Sequence, residues 1–117
     1  MLQEQRKVAK IIAELTLFFL SLGADEVSSS VKRRGNEGVI TLRSDYRRGC
    51  EDKIQNMFKC LNQQKNNGIA DIYWELAGSG ASGDTSQLML VGMMIDKAEM
   101  EQEDGFVILT LYKKLEW

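Results

Sequence analysis

Residues 98–113, AEMEQEDGFVILTLYK, decide the fold class of this chain of 117 residues. Two candidate strand segments flank Asp104-Gly105, and Asp-Gly is a favoured pair for the two-residue turn of a β-hairpin. The stretch therefore predicts two antiparallel strands, over residues 98–103 and 106–113.

A second hairpin and a long helix are predicted before it. Residues 25–33 and 39–43 are typical of strands, and the glycine-containing residues 34–38 are typical of the turn between them. In front of this hairpin, apolar residues recur at helical spacing as far as Gly23, a natural helix stop. The helical stripe consists of Val8, Ile11, Ile12, Leu15, Phe18, Phe19 and Leu22.

Further helices are predicted between the two hairpins. Helical spacing returns from residue 46 to about residue 65, and again over residues 84–97, with Leu88, Val91 and Ile95 facing inward. Residues 69–77 suit a short helix better than a strand, and residues 78–83 are a glycine-serine linker. Two hairpins with helices on one face predict an α+β two-layer sandwich with a largely antiparallel or mixed sheet, forming a single domain over residues 1–117.

Composition excludes several classes of function. The net charge of −2 gives no positive field that would attract nucleic acid, and the chain has no histidine for serine–histidine or cysteine–histidine catalysis. The apolar run 15–22 is too short to span a membrane. We therefore expect no nucleic-acid partner, no membrane and no metal, in a cytoplasmic protein.

Two cysteines, Cys50 and Cys60, fall within the helix predicted from residue 46. Ten residues of helix separate them by about 15 Å, whereas a disulfide tolerates about 7 Å between Cα atoms. We expect both thiols to be reduced, with Cys50 on the buried stripe and Cys60 more accessible.

Four features have both a structural and a functional interpretation. The glycines of residues 78–83 spell G-x-G-x-x-G, but too little chain follows for a dinucleotide-binding sheet, which favours a linker. Basic residues at 32–34 and 47–48 form a solvated surface or, if they meet, a patch for an acidic partner. Met89 and Met93 suit core filling or an adaptable binding surface. Trp74 suits the core or an exposed anchor at an interface.

Two segments together resemble a known family. Residues 14–44, ELTLFFLSLGADEVSSSVKRRGNEGVITLRS, and residues 85–115, TSQLMLVGMMIDKAEMEQEDGFVILTLYKKL, are similar to parts of the ATP-binding domain of histidine kinases. Anti-sigma-factor kinases, gyrase-type topoisomerases and heat-shock chaperones share that domain. That domain typically has the motif E-L-x-x-N-A-x-x-H-G, followed by two strands and the motif D-x-G-x-G. Its C-terminal part has the motif G-x-G-L, followed by a helix and a final hairpin. The anti-sigma type is the most similar.

The nucleotide-binding residues of that family are mostly replaced. Glu14 matches the first motif, Asp45 matches the adenine-contacting aspartate, and Gly49 matches the last glycine of its box. Phe18, however, stands where the family has its magnesium-chelating asparagine, and Arg47 replaces the middle glycine. The second glycine box reads TSQL at residues 85–88, with both glycines replaced.

The resemblance implies the fold and argues against the activity. It favours a non-catalytic binding domain without a cofactor, which contacts an unidentified protein or a second copy of itself. One alternative is a small ATP-binding kinase of the anti-sigma type that uses ATP and magnesium, with Glu14 as base and Asp45 and Gly49 at the nucleotide. Another is a pocket for a different small molecule, lined by Phe18, Met89 and Met93.

Overall fold

The computed structural model of the chain describes residues 2–63 and 83–115. Within these ranges the elements are α1 (Leu2–Ser21), β1 (Val27–Arg34), β2 (Glu37–Asp45), α2 (Glu51–Gln63), α3 (Gly83–Met94), β3 (Lys97–Glu103) and β4 (Phe106–Lys114). The four strands form one antiparallel sheet in the order β1-β2-β4-β3. The predicted α+β class is confirmed. The helix predicted at 69–77, with Trp74, and the linker up to residue 82 lie outside the described residues.

The core lies between one face of the sheet and the helices. Strands β2 and β4 bury alternate residues, as expected for strands with one covered face. Helix α1 packs against β1 and β2, α2 packs against β3, and α3 contacts both other helices. The largest fully buried side chains come from the three described helices and from strands β2 and β4: Phe19, Ile11, Leu15, Ile40, Leu42, Ile54, Met57, Leu61, Met89, Leu109, Leu111 and Val91.

Helix α1 ends as its sequence predicts. Its buried stripe is the predicted one, although Phe18 and Ile12 are only partly buried. At the C-terminal end, Gly23 has a φ of +88°, its N–H donates to Leu20, and the N–H of Ala24 donates to Phe19. These two bonds form a Schellman cap, which requires the left-handed conformation that glycine adopts without strain.

The β3–β4 hairpin also confirms its prediction. Asp104 and Gly105 have φ values of 42° and 82°, so both central turn residues are left-handed, as a type I′ turn requires. The twist of such a turn matches the twist of the two strands that it joins.

Two predicted helix boundaries are wrong. Helix α2 begins at Glu51 rather than at residue 46, because β2 stays paired with β4 as far as Asp45 and the chain then turns through Gly49 at a φ of +98°. Helix α3 ends at Met94 rather than at residue 97, because the N–H of Asp96 donates to the Tyr112 carbonyl at 2.8 Å. That bond brings the chain into the sheet.

The cysteines are free, as predicted, but their predicted settings need correction. Cys50 directly precedes α2, and its carbonyl accepts the first helical hydrogen bond, from the N–H of Ile54, so Cys50 is the N-cap of the helix rather than a residue inside it. Both thiols are partly buried, so Cys60 is not set apart as the accessible one. Burial raises the pKa of the Cys60 thiol.

Candidate functional site

The candidate site consists of the positions that the resemblance assigns to a nucleotide. Glu14 and Phe18 lie on α1, Asp45 is the last residue of β2, and Gly49 lies in the turn before α2. Helix α3 contributes the second glycine box and the predicted lining residues Met89 and Met93. The contacts of each position determine whether it can serve a ligand.

Asp45 is hydrogen-bonded to the backbone of its own chain. Its carboxylate accepts the N–H of Asp25 at 2.9 and 3.2 Å and the N–H of Glu26 at 2.9 Å. Its own N–H donates to the Glu26 carbonyl at 3.3 Å. Charged acceptors bind backbone amides strongly, so this side chain holds the entry of β1 against the end of β2.

The turn after β2 is likewise held by contacts within the chain. The N–H of Gly49 donates to the Glu51 carboxylate at 2.7 Å. The Arg47 side chain donates from Nε to the Gly23 carbonyl at 3.1 Å and covers the cap of α1. A Cβ added at Gly23 would lie 2.8 Å from Cδ of Arg47. This arginine, at the position that the resemblance gives to a glycine, joins the turn to α1.

The crevice beside Glu14 and Phe18 is too small for a nucleotide. Its volume is about 10 Å³, which is about the space that one water molecule needs. The Phe18 ring packs edge-on against Phe19 at a centroid distance of 5.3 Å, and Glu14 pairs with Lys10 at 3.6 Å. Phe18 belongs to the predicted apolar stripe of α1, but it is partly rather than fully buried. The crevice is lined by Glu14, Leu17, Phe18, Ser21 and Leu88.

Met89 and Met93 of α3 do not share a pocket with Phe18. Met89 is 1% exposed and belongs to the core, whereas Met93 is 57% exposed on the surface. The interpretation that these methionines fill the core is therefore confirmed for Met89 and wrong for Met93. Gln87, which replaces a glycine of the second box, is partly buried, and its Oε1 has no hydrogen-bond partner among the described residues.

A larger but shallow cavity of about 320 Å³ lies beyond the end of β2. It is lined by Tyr46, Arg48, Glu51 and Gly105, so a cation and an anion face it together. The Glu51 carboxylate already accepts the N–H of Gly49 at the start of α2. This hydrogen bond occupies the carboxylate that could otherwise bind a cationic ligand. The negative charge of Glu51 also repels an anion from the N-terminal end of α2.

The two basic clusters of the sequence do not meet. In the β1–β2 register, Arg34 is paired with Glu37 at one end of the hairpin, whereas Val27 is paired with Ser44 at the other. Residues 47–48 follow the second end, so about 25 Å of strand separates the clusters at 3.3 Å per residue. A shared anion patch is therefore wrong.

A partly buried ion pair that sequence reasoning missed joins α1 to the sheet. Lys113 is 7% exposed, and its Nζ lies 3.2 Å from Glu4 Oε2 and donates to the Met94 carbonyl at 2.9 Å. Hydrogen bonds from Lys7, and then from Lys113, lower the pKa of the Glu4 carboxyl below its ordinary value of 4.5. A lysine at an inward position of an apolar strand was the available signal. The pair fastens the start of α1 and the end of α3 to β4.

Comparisons with known proteins add no assignment. The sequence matches no protein-family model and no curated protein. Within residues 2–63 and 83–115, no cluster of three or more acidic or cysteine side chains is placed to hold a metal ion. None of the described helices has the length and apolar character to cross a membrane.

Proposed function

We propose that this chain is a non-catalytic binding domain that acts through protein contacts, and that it is a degenerate relative of the histidine-kinase-like ATPase domain. The observation that carries the proposal is the state of Asp45. Both of its carboxylate oxygens accept backbone amides of the same chain, so the residue that would anchor adenine has a structural role instead.

The order of elements supports the relationship. Helix α1 carries Glu14, a hairpin follows, and Asp45 ends its second strand. Helix α3 then leads into a strand, a glycine turn and a final strand, in the order that the second resembling segment implies. The agreement covers both segments, on either side of α2.

The chemistry of the remaining positions supports the loss of nucleotide binding. Magnesium requires oxygen ligands, and the ring of Phe18 offers none. Phosphate approaches a backbone closely where glycine leaves room, and Arg47 fills that place with a side chain packed on Gly23. The crevice beside Glu14 and Phe18, with a volume of about 10 Å³, leaves no room for a purine.

Isothermal titration calorimetry with ATP and magnesium tests the proposal. We expect no saturable heat at protein concentrations near 100 μM, and the same result for Phe18→Asn, because one restored amide does not restore the missing glycines. Asp45→Asn is the matched control, since it removes one carboxylate oxygen and keeps the size of the side chain. Low-micromolar binding by the wild type that Asp45→Asn abolishes would refute the proposal and favour an anti-sigma-type kinase.

A thermal-shift panel of metabolites separates the remaining alternative. A ligand at 100 times its dissociation constant raises the free energy of unfolding by about 2.7 kcal/mol, which is readily measured as a higher melting temperature. Stabilisation by a small molecule other than a nucleotide would replace the proposal with a ligand-binding function.

A further inference from the structure

Strand β1 carries a charge pattern that is complementary to itself. Residues 25–34 read DEVSSSVKRR, with two acids at the start, three bases at the end and no charge between them. Within the described chain β1 is an edge strand, paired only with β2. Val27 is half-buried and the rest of the strand is exposed.

The register shows which backbone groups of β1 point outward. The N–H of Asp45 donates to the carbonyl of Glu26, so the backbone of Glu26 faces β2. In an antiparallel pair the hydrogen-bonding direction alternates along the strand. Val27, Ser29 and Val31 therefore present their N–H and C=O groups at the outer edge, where they can pair with another strand.

We propose that β1 pairs antiparallel with β1 of a second copy of the chain, about a two-fold axis at Ser29. In this register Ser29 lies opposite its own equivalent, and Val27 lies opposite Val31 of the second copy. Glu26 then lies opposite Lys32. The two sheets join into one continuous antiparallel sheet.

Three properties of the edge select this register. Outward-facing residues must meet outward-facing residues, so odd-numbered positions pair with odd-numbered positions. The two-fold axis produces the Glu26–Lys32 attraction twice, and it places Asp25 opposite Arg33, again twice. It also brings Val27 over Val31, which is 44% exposed in the single chain. Parallel pairing would instead set like charges side by side.

Basic residues on an edge strand often serve to prevent pairing. Here they are confined to one end of β1, and the acids of the other end neutralise them when the partner strand runs antiparallel. Edge strand β3 lacks this symmetry. Its exposed face carries three glutamates, Glu99, Glu101 and Glu103, against one base, Lys97, so the acids of two paired copies are not matched by bases.

This inference rests on the proposed function, because it names a second copy as the protein partner. The two can fail separately. A monomeric protein that binds no nucleotide would overturn the pairing and leave the binding-domain proposal standing. A dimer that binds ATP and magnesium would overturn the binding-domain proposal and leave the pairing standing.

Sedimentation equilibrium of the full chain and of charge-reversed variants tests the pairing. We expect the wild type to sediment at twice 13.3 kDa. Glu26→Lys and Lys32→Glu should each raise the dimer dissociation constant at least tenfold, because each replaces two attractions by two repulsions. The double variant should recover at least half of that loss on the logarithmic scale. Glu101→Lys on β3 is the matched control and should leave the constant unchanged.

Disulfide trapping locates the axis. With both native cysteines changed to serine, Ser29→Cys should form a dimer disulfide on oxidation, because opposed hydrogen-bonded residues lie about 5.5 Å apart at Cα. Ser30→Cys is the control and should stay monomeric on a non-reducing gel, because its opposite residue is Ser28. Circular dichroism confirms that each variant is folded.

Three results would overturn the proposal. The first is a monomeric wild type at 100 μM. The second is a dimer that Glu101→Lys weakens while Glu26→Lys does not, since this would indicate pairing of β1 with β3. The third is trapping through Ser30→Cys in preference to Ser29→Cys.

Discussion

Replacing Asp45 with alanine separates a structural role of this residue from a ligand-binding one. The substitution removes the acceptor for the N–H groups of Asp25 and Glu26, which lie 2.9 Å from one carboxylate oxygen. Loss of a side chain that caps backbone amides costs about 0.5–2 kcal/mol, and hydrogen bonds to charged groups contribute about 1.5–3 kcal/mol. Asp45 is partly exposed, so water replaces some of the lost bonding. We expect a loss of about 1.5–2 kcal/mol.

Urea unfolding followed by circular dichroism measures this loss. In a thermal unfolding experiment, a loss of 1 kcal/mol lowers the melting temperature of a domain of this size by about 4 °C, so the melting temperature should fall by about 6–8 °C. Asp45→Asn keeps one acceptor oxygen and should lose about half as much. Glu103→Gln, an exposed acid on β3, is the control and should change stability by less than about 0.5 kcal/mol. Equal stability of wild type and Asp45→Ala would refute the structural role of the carboxylate.

Three further perturbations test other parts of the structure. Lys7 and then Lys113 lower the pKa of Glu4, so this carboxylate stabilises the fold above pH 4.5 and loses its effect as the pH falls through the lowered pKa. Wild type should therefore exceed Glu4→Gln in urea stability at pH 7 and converge with it as the pH falls below the lowered pKa of Glu4; a difference that does not change with pH would contradict this. Gly23→Ala should lose about 1–2 kcal/mol in thermal unfolding, because its φ is +88°, and an unchanged melting temperature would contradict the cap. Burial raises the pKa of Cys60, so its reaction with a disulfide reagent at pH 8 should be several-fold slower in the native chain than in urea, and equal rates would contradict its burial.

The sequence was informative wherever a local rule determined the structure. Helix α1 follows from its apolar spacing, and its end follows from Gly23, the residue that a left-handed cap requires. The β3–β4 turn follows from Asp104-Gly105. In each case neighbours within a few residues decide the conformation, so pattern and structure agree.

Predictions failed where distant parts of the chain decide. Helix α2 was predicted to begin too early because the pairing of β2 with β4 as far as Asp45 depends on strands 60 residues apart in sequence. The capping role of Asp45 was missed because its partners precede it by about 20 residues. Residue type alone left Met93 open between core filling and a binding surface, whereas the orientation of α3 leaves it exposed.

The charge symmetry of β1 was visible in the sequence but had no meaning before the topology was known. The acids and bases of residues 25–34 support the proposed pairing only because β1 is an edge strand within the described chain, with the backbone groups of its odd-numbered residues directed outward. Sequence reasoning treated the basic residues as a separate cluster and compared them with residues 47–48, which lie at the other end of the hairpin.

An NMR titration of the ¹⁵N-labelled protein with ATP and magnesium tests the central claim most directly, because the amides of Asp25 and Glu26 report on the Asp45 carboxylate. Our account predicts that these two resonances and that of Gly49 stay in place up to millimolar nucleotide. Saturable shifts of the three resonances at micromolar nucleotide would contradict it, since they would show that the carboxylate and the turn after β2 serve a ligand.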